Sequence, residues 1–128
     1  MLRKIEIIVL FIVAILLTKI SRKKAIRILE VVVEKSPDND FLLHTLGHQY
    51  YKDENYKNAV VALEKSNSLS ESFVEYLIIG DLYVRLGNWE AASRNYELGL
   101  QKCNDEGRRI LRDEIDRAEK FLRNKFGK

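Results

Sequence analysis

Proline and cysteine are nearly absent from this chain of 128 residues, each occurring once, as Pro37 and Cys103. A single cysteine cannot close an internal disulfide and leaves no second thiolate for a zinc site; it fits a reducing compartment. One proline and six glycines give little turn material for a β-rich fold, and the runs of Leu, Ala, Glu, Lys and Arg favour helices instead. Glycines 47, 80, 87, 99 and 107 are scattered, so no Gly-rich loop exists to cradle a phosphate. No nucleophile motif and no carboxylate pair stands out from ordinary helical surface charge, which argues against an enzyme and implies no cofactor. With 46% hydrophobic residues, this length supports one modest core.

A charge bias of one sign is also missing, because the formal +3 is an uneven balance. Residues 1–24 hold six Lys/Arg against one Glu, residues 25–100 seven basic against twelve acidic, and residues 101–128 nine basic against six acidic. The middle of the chain is acidic and lacks the clustered Lys/Arg that phosphate binding needs, so nucleic acid is not an expected partner.

What the chain does have is an internal repeat. "LGHQYYKDENYKNAVVALE" and "IGDLYVRLGNWEAASRNYE" share a skeleton at a 33-residue offset: Gly47 matches Gly80, Tyr50 matches Tyr83, Asn55 matches Asn88, Tyr56 matches Trp89, and Ala59 matches Ala92. One copy reads Leu43, Leu46-Gly47, Tyr50, Ala59, Leu63, and the next reads Tyr76, Ile79-Gly80, Tyr83, Ala92, Tyr96. An upstream half-copy shows Ala25, Leu29, Val32 and Pro37. This pattern resembles the tetratricopeptide repeat (TPR) over residues 6–106. The resemblance implies an all-α, right-handed α-solenoid of about three helix-turn-helix units. Departures are Ser66 where Ala is usual and Glu71 where Pro is usual.

Small residues where two helices cross allow close approach, so Gly47 is expected against Ala59 and Gly80 against Ala92, with the aromatics filling the spaces around them. Turns fall at "SPDND" (36–40), "KDEN" (52–55) and "LGN" (86–88), with Gly87 suited to a left-handed stop and Asp38 or Asp40 to an N-cap. Helices are expected near 5–19, 22–35, 40–52, 56–68, 73–86, 89–102 and 106–125. The last carries a stripe of Leu111, Ile115, Ala118 and Leu122 opposite charged pairs such as Asp113–Arg117, as a polar capping helix requires. The segments are therefore 1–21, a hydrophobic helix; 22–106, the TPR domain; and 107–128, the C-terminal capping helix.

Function is expected as a non-enzymatic scaffold whose concave surface binds a peptide or helix of a protein partner. The family's groove positions fall on Phe41, His44, His48, Tyr51 and Lys52 in one repeat and on Val74, Leu77, Asp81, Val84 and Arg85 in the next. The Lys-Asn clamp by which some TPR domains grip a C-terminal carboxylate is absent, since Thr45, His48, Leu77, Ile78 and Asp81 stand around the equivalent places. A less favoured alternative is a metal-dependent activity at His44 and His48, one helical turn apart, with Asp81 as a neighbouring ligand; a stable site needs a third and usually a fourth donor, and no metal is assigned.

The amino terminus admits two readings. Ile7 to Leu17 contains no polar side chain, and Ile5 to Ile20 adds only Glu6, Thr18 and Lys19. Basic flanks at Arg3-Lys4 and at Lys19, Arg22, Lys23 and Lys24 suit lipid head groups, and the heavier second flank would hold the repeats in the cytoplasm. The expectation is a membrane anchor over residues 5–20. No small-x-small cleavage site follows, so a cleaved signal is disfavoured. The alternative is a structural subunit whose apolar helix packs into a larger complex or a homo-oligomer.

Overall fold

In the computed structural model residues 2–126 are described; the expected segment ends at residues 1 and 128 lie outside them. Among the described residues there are eight helices and no strand: α1 (Leu2–Leu17), α2 (Arg22–Lys35), α3 (Asp40–Lys52), α4 (Tyr56–Leu69), α5 (Phe73–Arg85), α6 (Trp89–Lys102), α7 (Asp105–Ile110) and α8 (Arg112–Phe126). They form two compact units, residues 1–70 and 71–128. The division falls beside Glu71, where the repeat pattern lacks its usual proline.

Side-chain caps set most helix starts. Ser21, Asn39, Asn55, Asn88 and Asn104 each accept a hydrogen bond from the backbone N–H three residues on, each worth about 1 kcal/mol. Asn39, not Asp38 or Asp40, caps α3, its Oδ1 accepting from Leu42 N at 3.1 Å. The two matched turns share one geometry: Asn55 N donates to Tyr50 O and Asn88 N to Tyr83 O, both at 2.9 Å. That closure places the residue before each asparagine in the left-handed region, Glu54 at φ 62° and Gly87 at φ 77°.

In the first unit α1 packs on α2, α2 on α3 and α3 on α4, burying Ala14, Ala25, Leu29, Val32, Leu43, Leu46, Ala59 and Leu63. The glycine contacts differ from expectation. A Cβ on Gly47 would meet Leu63 at 2.6 Å, and one on Gly80 would meet the Tyr96 ring at 2.6 Å. The nearest partner is thus one turn beyond Ala59 and Ala92 and is a large side chain, with the small Ala62 also beside Gly47, 3.4 Å from the added Cβ. Ser66 Oγ donates to Asp40 O at 3.0 Å, tying α4 to the start of α3, a bond the usual alanine could not make.

In the second unit α5 and α6 form a hairpin on which α8 packs. Leu77, Ala92, Tyr96, Ile115 and Ala118 make a common core, flanked by Phe73, Tyr83, Val84, Leu111, Phe121 and Leu122. Glu71 accepts from Tyr76 Oη at 2.7 Å and pairs with Lys102 at 3.0 Å. The expected single last helix is broken at Leu111, where φ −105° and ψ 36° leave the helical region and Leu111 N bonds Gly107 O at 2.8 Å. The bend keeps Gly107 against the Phe73 ring while α8 reaches the hairpin.

The membrane reading is corrected. No helix among the described residues is long and apolar enough to cross a membrane. α1 has 16 residues, about 24 Å at 1.5 Å per residue, against a hydrocarbon core of about 30 Å. It stops because Ile20 N and Ser21 N both turn back to Leu17 O, and Ser21 then caps α2. Lys35 pairs with Glu6 at 2.9 Å, and Arg3 donates to Lys35 O at 2.8 Å, fastening α1 along α2. An anchor over residues 5–20 holding the repeats on the cytoplasmic side therefore does not stand.

Candidate functional site

Phe41, His44, His48 and Tyr51 lie at i, i+3, i+7 and i+10, so α3 carries them on one stripe, with Lys52 beside its end. Phe41 starts the row and is 60% exposed, yet its ring stands 5.4 Å from that of Phe11 on α1. The His44 and His48 rings follow, centroids 4.3 Å apart and tilted by 46°. Tyr51 closes the row, edge-on to Tyr56 at 6.0 Å. Lys52 is exposed, and its carbonyl accepts from Arg22 at 3.0 Å.

The electrostatics of the row are set by His48. Its Nε2 is buried with no hydrogen-bond partner. Burial first, then the neighbouring His44 and Lys52, push its pKa down to about 4, so the ring is neutral at pH 7. The two imidazoles are the groups of this row able to ligate a metal. Asp81, the expected further ligand, has its carboxylate engaged: Tyr96 Oη donates to it at 2.5 Å and Arg117 Nη2 at 3.0 Å.

The matching row on α5 is built differently. Leu77 is 3% exposed within the core that includes Ile115 and Ala118 of α8, and Val84 packs against the same cluster. Leu77, expected on the groove, is thus buried beneath α8. Asp81 serves the same junction, and Arg117, expected to pair with Asp113 on its own helix, reaches Asp81 instead. Val74 is half-buried and Arg85 exposed. Of the supposed clamp positions, Thr45 donates its hydroxyl to Phe41 O at 2.9 Å and Ile78 is half-buried.

Two participants escaped the sequence reading. Phe11 was hidden inside a uniformly apolar run; its one signal is being the sole aromatic there. Arg117 had a carboxylate at i−4 as well as Asp81 within reach, and sequence spacing alone favours the nearer.

No family model matches the chain, and no curated relative matches it. Among solved structures it is similar to the Yersinia enterocolitica type III secretion chaperone SycD in complex with a peptide of the translocator YopD: TM-score 0.78 at 12% identity, over 91% of this chain and 92% of that one. It is also similar to MamA MSR-1 C2, with TM-score 0.70 at 17% identity over 93% and 78% of the two chains. A further MamA structure gives 0.68 at 16%, over 95% and 81%. At these identities the likeness is one of fold, and with the repeated hairpins it defines the chain as an all-α, TPR-type helical array.

Proposed function

We propose that this chain is a non-enzymatic protein-interaction module that binds a peptide or helix of a partner protein along the α3 row. The observation that carries this reading is the Phe41–Phe11 pair, an apolar anchor exposed to solvent at the head of a row that continues through His44, His48 and Tyr51 to the Lys52 cation. A large aromatic left half in water beside polar neighbours is what a segment with an apolar anchor residue would cover. The peptide held by SycD supports the same class of partner for a chain of this fold. Neutral His48 adds no charge to the row at pH 7, so selectivity would rest on the anchor and on an acidic group opposite Lys52.

The test is selection from a random peptide library displayed on phage, followed by fluorescence polarisation with the selected peptides. Phe41→Ser is expected to weaken them at least about tenfold, the effect of losing an interface anchor. Lys52→Ala is expected to weaken them less, and only at low salt. Selected peptides that bind Phe41→Ser and Tyr51→Ser as tightly as the native chain would remove the site.

A further inference from the structure

α1 turns one stripe toward its own unit, with Ala14 buried and Ile7, Leu10, Phe11 and Leu17 half-buried. The other stripe carries Ile5, Ile8, Ile12 and Ile15, spaced three, four and three apart and exposed by 53, 58, 51 and 39%. Val9 and Leu16, exposed by 50 and 64%, widen it. Such spacing is that of a and d positions in a heptad, through which helices associate side by side. Six aliphatic side chains exposed by about half make a continuous face on the order of several hundred Å². That lies at the upper end of what a lone chain ordinarily leaves to water and approaches one side of a standard interface.

On α8, by contrast, Arg112, Asp113, Glu114, Asp116, Lys120 and Arg123 are all exposed. A charged α8 gives isoleucines no seat, so head-to-tail stacking of copies has no apolar partner for this face, whereas like against like does.

We propose that two copies of this chain pair α1 against α1, with Ile5, Ile8, Ile12 and Ile15 of each interleaved with those of the other. A two-fold arrangement uses the same patch twice, covers both faces and closes, leaving no open edge. Lys4 and Lys19 border the seam and are exposed. Two copies therefore repel at the rim, and salt strengthens the pair by screening that repulsion. A foreign helix with acidic ends would behave in the opposite way.

Sedimentation equilibrium of the full chain tests this from micromolar to hundred-micromolar concentration at low and high NaCl. The expected result is a dimer whose dissociation constant falls as salt rises. Ile8→Glu/Ile12→Glu is expected to be monomeric with an unchanged helical circular-dichroism signal. Ile12→Ser, a smaller change at an exposed site, is expected to raise the dissociation constant at least about tenfold. If the double variant loses helicity, the single one decides. A native chain that stays monomeric throughout overturns the proposal. So does a dimer that weakens with salt or ignores Ile12→Ser, or a chain held as single copies only in detergent micelles.

Discussion

A Cβ placed on Gly80 would stand 2.6 Å from the ring of Tyr96, a separation that side chains in folded proteins do not tolerate. The ring cannot easily give way, because its hydroxyl is bonded to Asp81 and its edge packs on Phe121 at 5.2 Å. Gly80→Ala gains about 1 kcal/mol of helix propensity and incurs overpacking of about 1–3 kcal/mol. The expected outcome is a net loss of about 1 kcal/mol and a melting temperature lower by several degrees. Gly80→Leu should be worse. Gly47→Ala should be milder than Gly80→Ala, since the obstructing Leu63 is an untethered aliphatic side chain. Thermal melts give the order, and a Gly80→Ala protein melting at or above the native temperature would sink this account of the crossing.

The repeat places Glu54 where its sister turn has Gly87, and both residues adopt positive φ. An L side chain in that region costs roughly 1–2 kcal/mol, whereas glycine adopts it freely but brings extra freedom to the unfolded chain. Glu54→Gly is therefore expected to stabilise by about 0.5–1 kcal/mol. Gly87→Ala should destabilise by about 1 kcal/mol although nothing lies within 4 Å of its added methyl. Urea unfolding of the two variants checks both signs, and shifts in the same direction would refute the turn argument.

Much of this architecture was legible because repetition multiplies weak signals. Asn55 and Asn88 recur as N-caps, and Gly47 and Gly80 recur where a side chain from the following helix must fit. What was not legible has physical causes of its own. Leu77 sits at a groove position by register, yet register cannot say that the chain's own α8 will bury it. The apolar run from Ile7 to Leu17 has the composition of a span, but a turn at Thr18–Ile20 ends the helix short of the required length. The break at Leu111 has no punctuating residue in the sequence, since the preceding Gly107 is consumed by contact with Phe73.

Ile110 and Ile115 are the same residue type, five positions apart, on opposite sides of that break. Ile115 is 3% exposed and belongs to the core shared with Leu77 and Tyr96, whereas Ile110 is 67% exposed. Ile115→Ala is expected to cost about 2–4 kcal/mol through lost burial and the cavity left behind. Ile110→Ala should stay within about 0.5 kcal/mol of the native chain. Hydrogen exchange adds a spatial check: Ile115→Ala should speed exchange in α8 more than in α3. Equal destabilisation by both alanines would mean that α8 does not rest on α5 and α6 as described.

His48 makes stability depend on pH in a window that can be stated in advance. Its folded pKa of about 4 lies below the ordinary value of 6.5, with burial the main cause and the His44 and Lys52 charges adding to it. A depressed folded pKa means the unfolded chain takes up the proton first. The contribution is therefore fully present above about pH 6.5 and is lost as pH falls toward 4. The full shift would be worth about 3 kcal/mol; partial solvation of the ring reduces this to roughly 1–2 kcal/mol. The exposed Glu71 carboxylate, whose pKa is lowered by its Tyr76 and Lys102 bonds, gives up its contribution only below the ordinary carboxylate value of 4.5, at the foot of this window. His48→Gln keeps a polar group of similar size without a titration. Unfolding free energies measured in urea between pH 7.5 and 4.5, roughly the range in which His48 titrates, should fall less steeply for His48→Gln than for the native chain. Superimposable slopes would mean that His48 accepts its proton as readily folded as unfolded, and that the ring is solvated rather than held neutral within the α3 row.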